Sequence, residues 1–215
     1  MRSTVRSDTT RRHLAKYTSS NPIHRYTLGR LFDRVAQELE LLAPRSVLDL
    51  GCGEGFFLRE IERRGIRFAD YLGIDARADA LAVARSFHPT RRFAHADLSD
   101  GPWPEGSFDL VIASQVLEHL PDPAPFLERV TRLTSRHLLL TVPWEPWFRT
   151  MNLLRGRDLR RLGNHPEHVN HWTFGEFGSF VSRYARILRA TTVFPFTIVV
   201  AAPVAQAGLR DRAAR

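Results

Sequence analysis

Residues 47–55 read Val47-Leu48-Asp49-Leu50-Gly51-Cys52-Gly53-Glu54-Gly55. A short apolar run ends in glycines at alternate positions, and Phe56 to Arg64 then carries helical spacing. The order is a buried strand, a sharp turn and a helix. Glycine lets the backbone turn where a side chain would be strained, and lets a ligand approach without a Cβ in the way. Open α/β sheets bind ligands at such turns, beyond the carboxyl ends of their strands. A dinucleotide fingerprint would be Gly-x-Gly-x-x-Gly. Counted from Gly51, its third glycine would fall at Phe56, so the spacing here differs, and an acid, Asp49, precedes it. A carboxylate at Asp49 would repel a pyrophosphate but could receive an ammonium group.

The same alternation continues downstream. Tyr71 to Asp75 is a second strand, Ala78 to Phe87 a helix, and Phe93 to Ala96 a third strand ending at Asp97. Phe108 to Ala113 is a fourth strand, Asp122 to Leu133 a helix, and His137 to Val142 a fifth strand. Strand and helix in repetition predict a parallel sheet with helices on both faces. Upstream, Ser19-Ser20-Asn21-Pro22 is a helix-entry signal. Leu28, Leu31, Phe32, Val35, Leu39 and Leu42 then form a stripe at helical spacing, which Pro44 ends. Near the C-terminus, Thr173 with Glu176 makes a capping box for a helix over Phe174–Tyr184. Ile187–Phe194 and Thr197–Ala202 follow as strands whose short link permits a hairpin and no parallel crossover. The expected fold is a doubly wound, Rossmann-like α/β domain with seven strands, mostly parallel, the last antiparallel. Its segments are a tail and helix over 1–43, a core over 44–143, an insertion over 144–172, and a helix with a hairpin over 173–203.

Composition fits this reading. The chain has 215 residues, 43% apolar and 25% charged, which is enough for one domain with a real core. The net charge of +8 invites a nucleic-acid partner, but Lys16 is the only lysine and the arginines are dispersed. Local clusters stand at Arg11–Arg12 and Arg155–Arg161, with a diffuse basic tail, so no nucleic acid is expected. The single cysteine, Cys52, excludes an internal disulfide and suits a reducing, cytoplasmic setting. The longest apolar stretch, Val193–Ala205, contains Pro195 and Pro203 and falls short of the roughly 20 residues a membrane span needs. The N-terminus carries no apolar signal segment.

Asp75 and Asp97 stand at successive strand ends after Asp49. An acid at Asp75 can accept both hydroxyls of a ribose. One at Asp97 can take an exocyclic amine while Leu98 packs a purine ring. Taken singly, each glycine could be a plain turn and each acid a helix cap. Three acids at three strand ends suit a cationic nucleoside with an amino-acid tail and suit a phosphate-bearing cofactor poorly.

Val47–Gly55, Tyr71–Asp75, Ala96-Asp97-Leu98 and Phe108–Ile112 together resemble the successive motifs of class I S-adenosylmethionine-dependent methyltransferases. Glu118-His119-Leu120-Pro121-Asp122-Pro123 is similar to the small-molecule "type 11" branch. The resemblance runs in order over about residues 45–142. It implies Gly51 and Gly53 at the methionine tail, with Asp49 and Cys52 in the same loop. It also implies Asp75 and Ala76 at the ribose, Asp97 and Leu98 at adenine, and Ser114 and His119 near the methyl donor. The N-terminal helix of such proteins commonly closes over the cofactor, which brings in Tyr17. Some ubiquinone-pathway members hold a divalent metal with a glutamate where Gln115 stands here, so one ligand is missing and no metal is expected.

The insertion supplies the acceptor side. His165, His168 and His171 recur every third residue, but Pro166 and the absence of cysteine argue against a regular zinc site. Histidine is well poised to take a proton near neutral pH, so His168 and His171 are candidate bases. Hydrogen bonding of the cap to the core is the other role open to them. Trp144 and Trp172 could wall an apolar acceptor or pack the insertion down. Arg25 and Arg149 could meet an acidic group on it. The resulting expectation is methyl transfer from S-adenosylmethionine to a small molecule, at oxygen. Two readings share these residues: an RNA or protein methyltransferase, and a binding module without turnover. An exposed apolar cap could pair two copies, so a homodimer stays open.

Overall fold

A computed structural model describes residues 21–97, 103–154, 162 and 168–204. Helix α1 (Pro22–Leu42) begins where the sequence predicts. The Asn21 side chain accepts from the N–H groups of Ile23 at 3.0 Å and His24 at 3.2 Å, and Pro22 occupies a position that needs no N–H. At the other end Ala43 takes a left-handed conformation and donates its N–H to Leu39 O at 2.9 Å.

Seven strands follow: β1 (Ser46–Leu50), β2 (Asp70–Asp75), β3 (Arg92–His95), β4 (Phe108–Ser114), β5 (Thr134–Pro143), β6 (Ala185–Val193) and β7 (Phe196–Pro203). They form one sheet in the order β3-β2-β1-β4-β5-β7-β6. The first five are mutually parallel, and β7 runs antiparallel to both β5 and β6. Val193 opposes Phe196, so the short link at Phe194-Pro195 makes the expected hairpin.

Helices cover both faces. Side chains alternate along a strand, so neighbouring residues serve opposite cores. Val47 joins Leu110, Ile112 and Leu139 under α1 and α2 (Phe56–Arg63), against Phe32, Val35, Phe57 and Ile61. Leu48 joins Val111, Leu138 and Leu140 under α4 (Pro123–Leu133) and α6 (Phe174–Ser182), against Leu127, Val130, Phe177 and Val181. Fully burying each such side chain contributes about 1.5–3 kcal/mol before entropy is subtracted. Helix α3 (Ala78–Phe87) packs Leu81 and Ala84 inward beside β2 and β3. No helix among the described residues is long and apolar enough to cross a membrane.

One element adds to the expected set. Residues Trp147–Leu154 form helix α5 inside the 144–172 insertion. Its start depends on the Glu145 side chain, whose Oε2 accepts from the Arg149 N–H at 3.3 Å. Strand β5 also begins earlier than its apolar run, at Thr134, because Thr134 pairs with Phe108.

The sheet order places the site. After β3 the chain crosses to β4 on the far side of β1. Strand order therefore reverses between β1 and β4, and the crevice beyond their carboxyl ends is the topological switch point.

Candidate functional site

The Gly51–Gly55 loop leaves β1 at this crevice. Gly51, Gly53 and Gly55 have φ of 76°, 53° and 76°, the left-handed region that favours glycine. The N–H groups of Gly51 and Cys52 both donate to Ile74 O, at 2.8 and 3.0 Å. A Cβ at Gly51 would stand 2.5 Å from Val116 Cγ2, so the loops after β1 and β4 touch across the switch point. Cys52 is buried and fills the space that Gly73 leaves in β2. Burial, with the Asp49 and Asp75 carboxylates nearby, pushes its thiol up and keeps it neutral, as a filler rather than a nucleophile.

Asp75 ends β2 and is buried. Its Oδ2 accepts from Gly53 N–H and its Oδ1 from Arg77 N–H, both at 2.8 Å. Two bonds leave acceptor capacity on a carboxylate, which has about four lone-pair sites. The Arg77 guanidinium lies 3.4 Å from Asp75 and 3.2 Å from Glu54, closing one side. Ala76 turns its carbonyl to His95 Nε2 at 2.9 Å. Asp49 is 2% exposed and accepts from the Tyr71 hydroxyl at 2.6 Å. Burial pushes its carboxyl up to about 7, the Tyr71 bond works against that shift, and the Asp75 charge adds to it. Asp97 is exposed, two residues past β3. Tyr17, Leu98 and His165 lie outside the described residues.

The loop after β4 forms the other wall. Ser114 Oγ lies 2.9 Å from Thr141 Oγ1, and Gln115 donates to that hydroxyl at 3.2 Å. Gln115 adopts φ of 59°, a conformation uncommon for a residue other than glycine. A short 3₁₀ turn, Leu117–His119, follows. Its carbonyls hold the returning insertion: Glu118 O accepts from the N–H groups of Val169 and Asn170 at 2.8 and 3.1 Å. Asn170 Nδ2 also donates to Leu117 O and Leu120 O. His168 thereby meets His119, ring centroids 5.0 Å apart and edge to face, with Phe148 5.3 Å away. Glu118, His119 and His168 offer ligand atoms all within 4.8 Å of one another, a spacing that a divalent cation could bridge. His171 is half-buried; burial and then the Arg149 charge hold its imidazole below the usual value, favouring the neutral, proton-accepting form.

Residues 48–138 match the family model of a methyltransferase domain. The matched stretch is similar to the class I S-adenosylmethionine-dependent methyltransferases. It is 32% identical over 126 residues to a ubiquinone biosynthesis O-methyltransferase of Acinetobacter baylyi, covering 56% of this chain and 51% of that one. It is 37% identical over 109 residues to a malonyl-[acyl-carrier protein] O-methyltransferase of Legionella pneumophila, covering 49% and 37%. The chain thus spans about half, or less, of the length of these relatives. The solved magnesium protoporphyrin IX methyltransferase of Synechocystis, with S-adenosylhomocysteine bound, shares the fold at a TM-score of 0.67 and 18% identity, over 91% of this chain and 93% of that one.

Around the methyltransferase core the expected acceptor residues are distributed unevenly. Trp172 bridges to Trp144 and sets its ring 5.3 Å from Phe177 and 5.8 Å from Phe180, so it packs against α6. Trp144 meets Trp147 at 6.2 Å. Arg149 is half-buried on α5, and Arg25 is exposed on α1. Three residues of the site carry no clear mark in the sequence. Tyr71 sits in a strand that looks merely apolar. Gln115 carries the unusual backbone. Glu145 is buried, its Oε1 has no hydrogen-bond partner among the described residues, and burial raises its carboxyl. Only Glu145 left a signal, as an acid between two tryptophans and beside a proline at a strand end.

Proposed function

We propose that this chain transfers a methyl group from S-adenosylmethionine to a hydroxyl oxygen of a small molecule. The observation that carries the reading is the convergence at the β1/β4 crevice of the glycine loop, buried Asp75 and the His119–His168 pair. The residues fit such a cofactor. Glycines leave room for its tail, Asp75 keeps acceptor sites for two hydroxyls, and Asp49 offers a carboxylate that a cation would favour in its ionised form. When bound, the cofactor supplies a methyl already made electrophilic by the sulfonium. The protein's part is to align the acceptor oxygen, exclude water and take the proton. In this reading His168, His119 or His171 takes the proton, and Arg149 and Arg25 meet an acidic group on the acceptor. The O-methyltransferase names of two relatives support oxygen as the target. The single buried thiol supports a reducing, cytoplasmic setting.

Calorimetric titration with S-adenosylhomocysteine tests the cofactor half. Wild type is expected to bind and Asp75→Ala to bind at least about 100-fold more weakly, since charge-assisted hydrogen bonds are each worth about 1.5–3 kcal/mol. No binding to wild type would sink the reading. Turnover on hydroxylated acceptors before and after chelation tests the rest. Activity that survives chelation assigns the proton to the histidines. Activity lost, and restored by a divalent ion, assigns Glu118, His119 and His168 to a metal instead.

A further inference from the structure

His88 lies just beyond α3, outside the site, and is buried. Both of its ring nitrogens face acceptors. Nε2 is 3.1 Å from the carbonyl oxygen of Gly55, and Nδ1 is 3.2 Å from Glu62 Oε2 on α2. A carbonyl oxygen can only accept, so Nε2 carries a hydrogen. An ionised carboxylate can only accept, so Nδ1 carries one too. A neutral imidazole has a single N–H; this arrangement needs two. Glu62 is held in place by Arg91, whose Nε and Nη2 donate to Oε1 at 3.2 and 2.9 Å while Nη1 donates to Phe68 O at 2.8 Å.

From this geometry we infer that His88 is a positioning residue of the cofactor loop, a doubly protonated pin between the Gly55 carbonyl and Glu62. The pin acts on the loop through its last glycine. Gly55 O also accepts the Arg59 N–H at 3.1 Å, the bond that starts α2. A Cβ at Gly55 would come within 3.1 Å of His88 Cδ2 and 3.3 Å of Ala84 Cβ, so the imidazole packs directly against the glycine. The Gly51–Gly55 turn is therefore anchored at one end by Ile74 O and at the other by a protonated ring. Among the described residues, the charged and titratable groups facing that ring are Glu62 from α2 and Arg91 from the following turn. Phe93 of β3 supplies an uncharged face 6.4 Å away, and the Tyr71 phenol lies in the field of Glu62. Loss of the second proton turns a lone pair of Nδ1 toward a carboxylate and loosens the hold on Gly55. Proton occupancy at His88 is thereby coupled to the shape of a loop that the side chain does not belong to.

The consequence for affinity rests on the cofactor reading; the protonation state of the ring does not. Nitrogen-15 NMR of the imidazole reads the second directly. Wild type at pH 6 is expected to show both ring nitrogens protonated, and a neutral ring with hydrogen on Nε2 alone would overturn the pin. S-adenosylhomocysteine titration at pH 6 and pH 9 reads the first. Asp49 titrates in this range as well, so the comparison of wild type with Glu62→Gln carries the test. The side-chain amide that this substitution introduces can donate to Nδ1, and a neutral ring then satisfies both neighbours. Glu62→Gln is expected to bind within a few-fold of wild type at pH 6 and to exceed it about tenfold at pH 9, the worth of one charge-assisted hydrogen bond. Identical pH profiles for the two proteins would also overturn the proposal. Wild type that binds no S-adenosylhomocysteine at either pH defeats the cofactor reading, and the NMR signature still decides the pin.

Discussion

The glycine loop and the 144–172 insertion flank one crevice, yet they are held by different means. The loop is fixed by its backbone. Its N–H groups end on Ile74 O and Asp75, its glycines occupy positive φ, and a side chain at Gly51 has no room. The described part of the insertion leans on rings: Trp144 on Trp147, Trp147 on Phe194, Trp172 on Phe177 and Phe180. It returns to the core through a few N–H groups on Glu118 O and Leu117 O. Trp147 and Leu154 are left exposed on it. Backbone hydrogen bonds are the same for every side chain, so a site built from them admits little variation except at its glycines. Ring contacts can be exchanged by substitution and repacking. On the proposed function, the difference separates a half that would fix one cofactor from a half that could be refitted to different acceptors.

The sharpest way to break this contrast is Gly51→Val. A left-handed β-branched residue costs about 1–2 kcal/mol in backbone strain, and overpacking against Val116 adds about 1–3 kcal/mol. The expected outcome is a loss of about 2–5 kcal/mol in denaturant unfolding, with S-adenosylhomocysteine binding abolished. Gly65→Ala is the control. Its φ is 90° but nothing lies within 4 Å of the added Cβ. It should cost about 1 kcal/mol and leave binding unchanged. Equal losses in the two variants would mean that the contact with Val116 contributes nothing.

Asp49 gives the next largest effect. Its carboxyl is raised from 3.8 to about 7, so the folded protein holds a proton there that the unfolded chain releases. Stability linked to Asp49 is full below about pH 4 and falls as pH rises through 7. By pH 8 the deficit is at most about 4 kcal/mol, taking 1.36 kcal/mol per pKa unit. Asp49→Asn should flatten this slope, matching wild type near pH 4 and unfolding at higher denaturant at pH 8. It should also weaken cofactor binding, because the ionised acid is what a cation selects. A variant equally destabilised at both pH values would place the role of Asp49 in packing alone.

How much of this was legible in the sequence follows from where each interaction is encoded. Strands β1, β2, β4 and β5 could be read because parallel strands buried on both faces are short apolar runs between glycines and acids. The spacing of Gly53 and Asp75 reflects one strand-helix-strand unit, and Gly53 N–H indeed reaches Asp75. The Tyr71–Asp49 bond depends on the register of β1 against β2, which no local pattern records. Helix α5 escaped because its first turn is held by the Glu145 side chain and not by a Ser, Thr, Asp or Asn cap. His119 and His168 are far apart in the chain and meet only because Glu118 O captures the returning segment. His88 follows α3 like any helix-ending residue, and only the fold reveals what its two nitrogens face.

On the insertion side, His171→Gln sharpens the comparison. Burial and the Arg149 charge hold the His171 imidazole below 6.5, so it is neutral and able to accept a proton at neutral pH. If it is the base, kcat/KM should fall as pH drops through a value under 6.5. The glutamine variant should lose that limb and about 100-fold in rate, a typical contribution of general base catalysis. Its affinity for S-adenosylhomocysteine should not change. An unaltered acidic limb would move the base to His168 or His119.

The smallest effect is the most discriminating between the two halves. Thr173 caps α6 and directly follows Trp172. Its hydroxyl accepts from the Glu176 N–H at 3.3 Å, and the Glu176 carboxylate receives the Thr173 N–H at 2.9 Å. These bonds lower the Glu176 carboxyl, so their contribution is present above pH 4.5 and is lost as pH falls through the depressed value. Thr173→Ala should cost about 1 kcal/mol of stability at neutral pH, the usual worth of such a cap. The loss acts where the insertion joins the helix that supports Trp172. It should therefore raise KM for the acceptor while S-adenosylhomocysteine binds as before. If cofactor affinity fell in step with acceptor affinity, the two walls of the crevice would be one mechanical unit, and the insertion could not be refitted without disturbing the glycine loop.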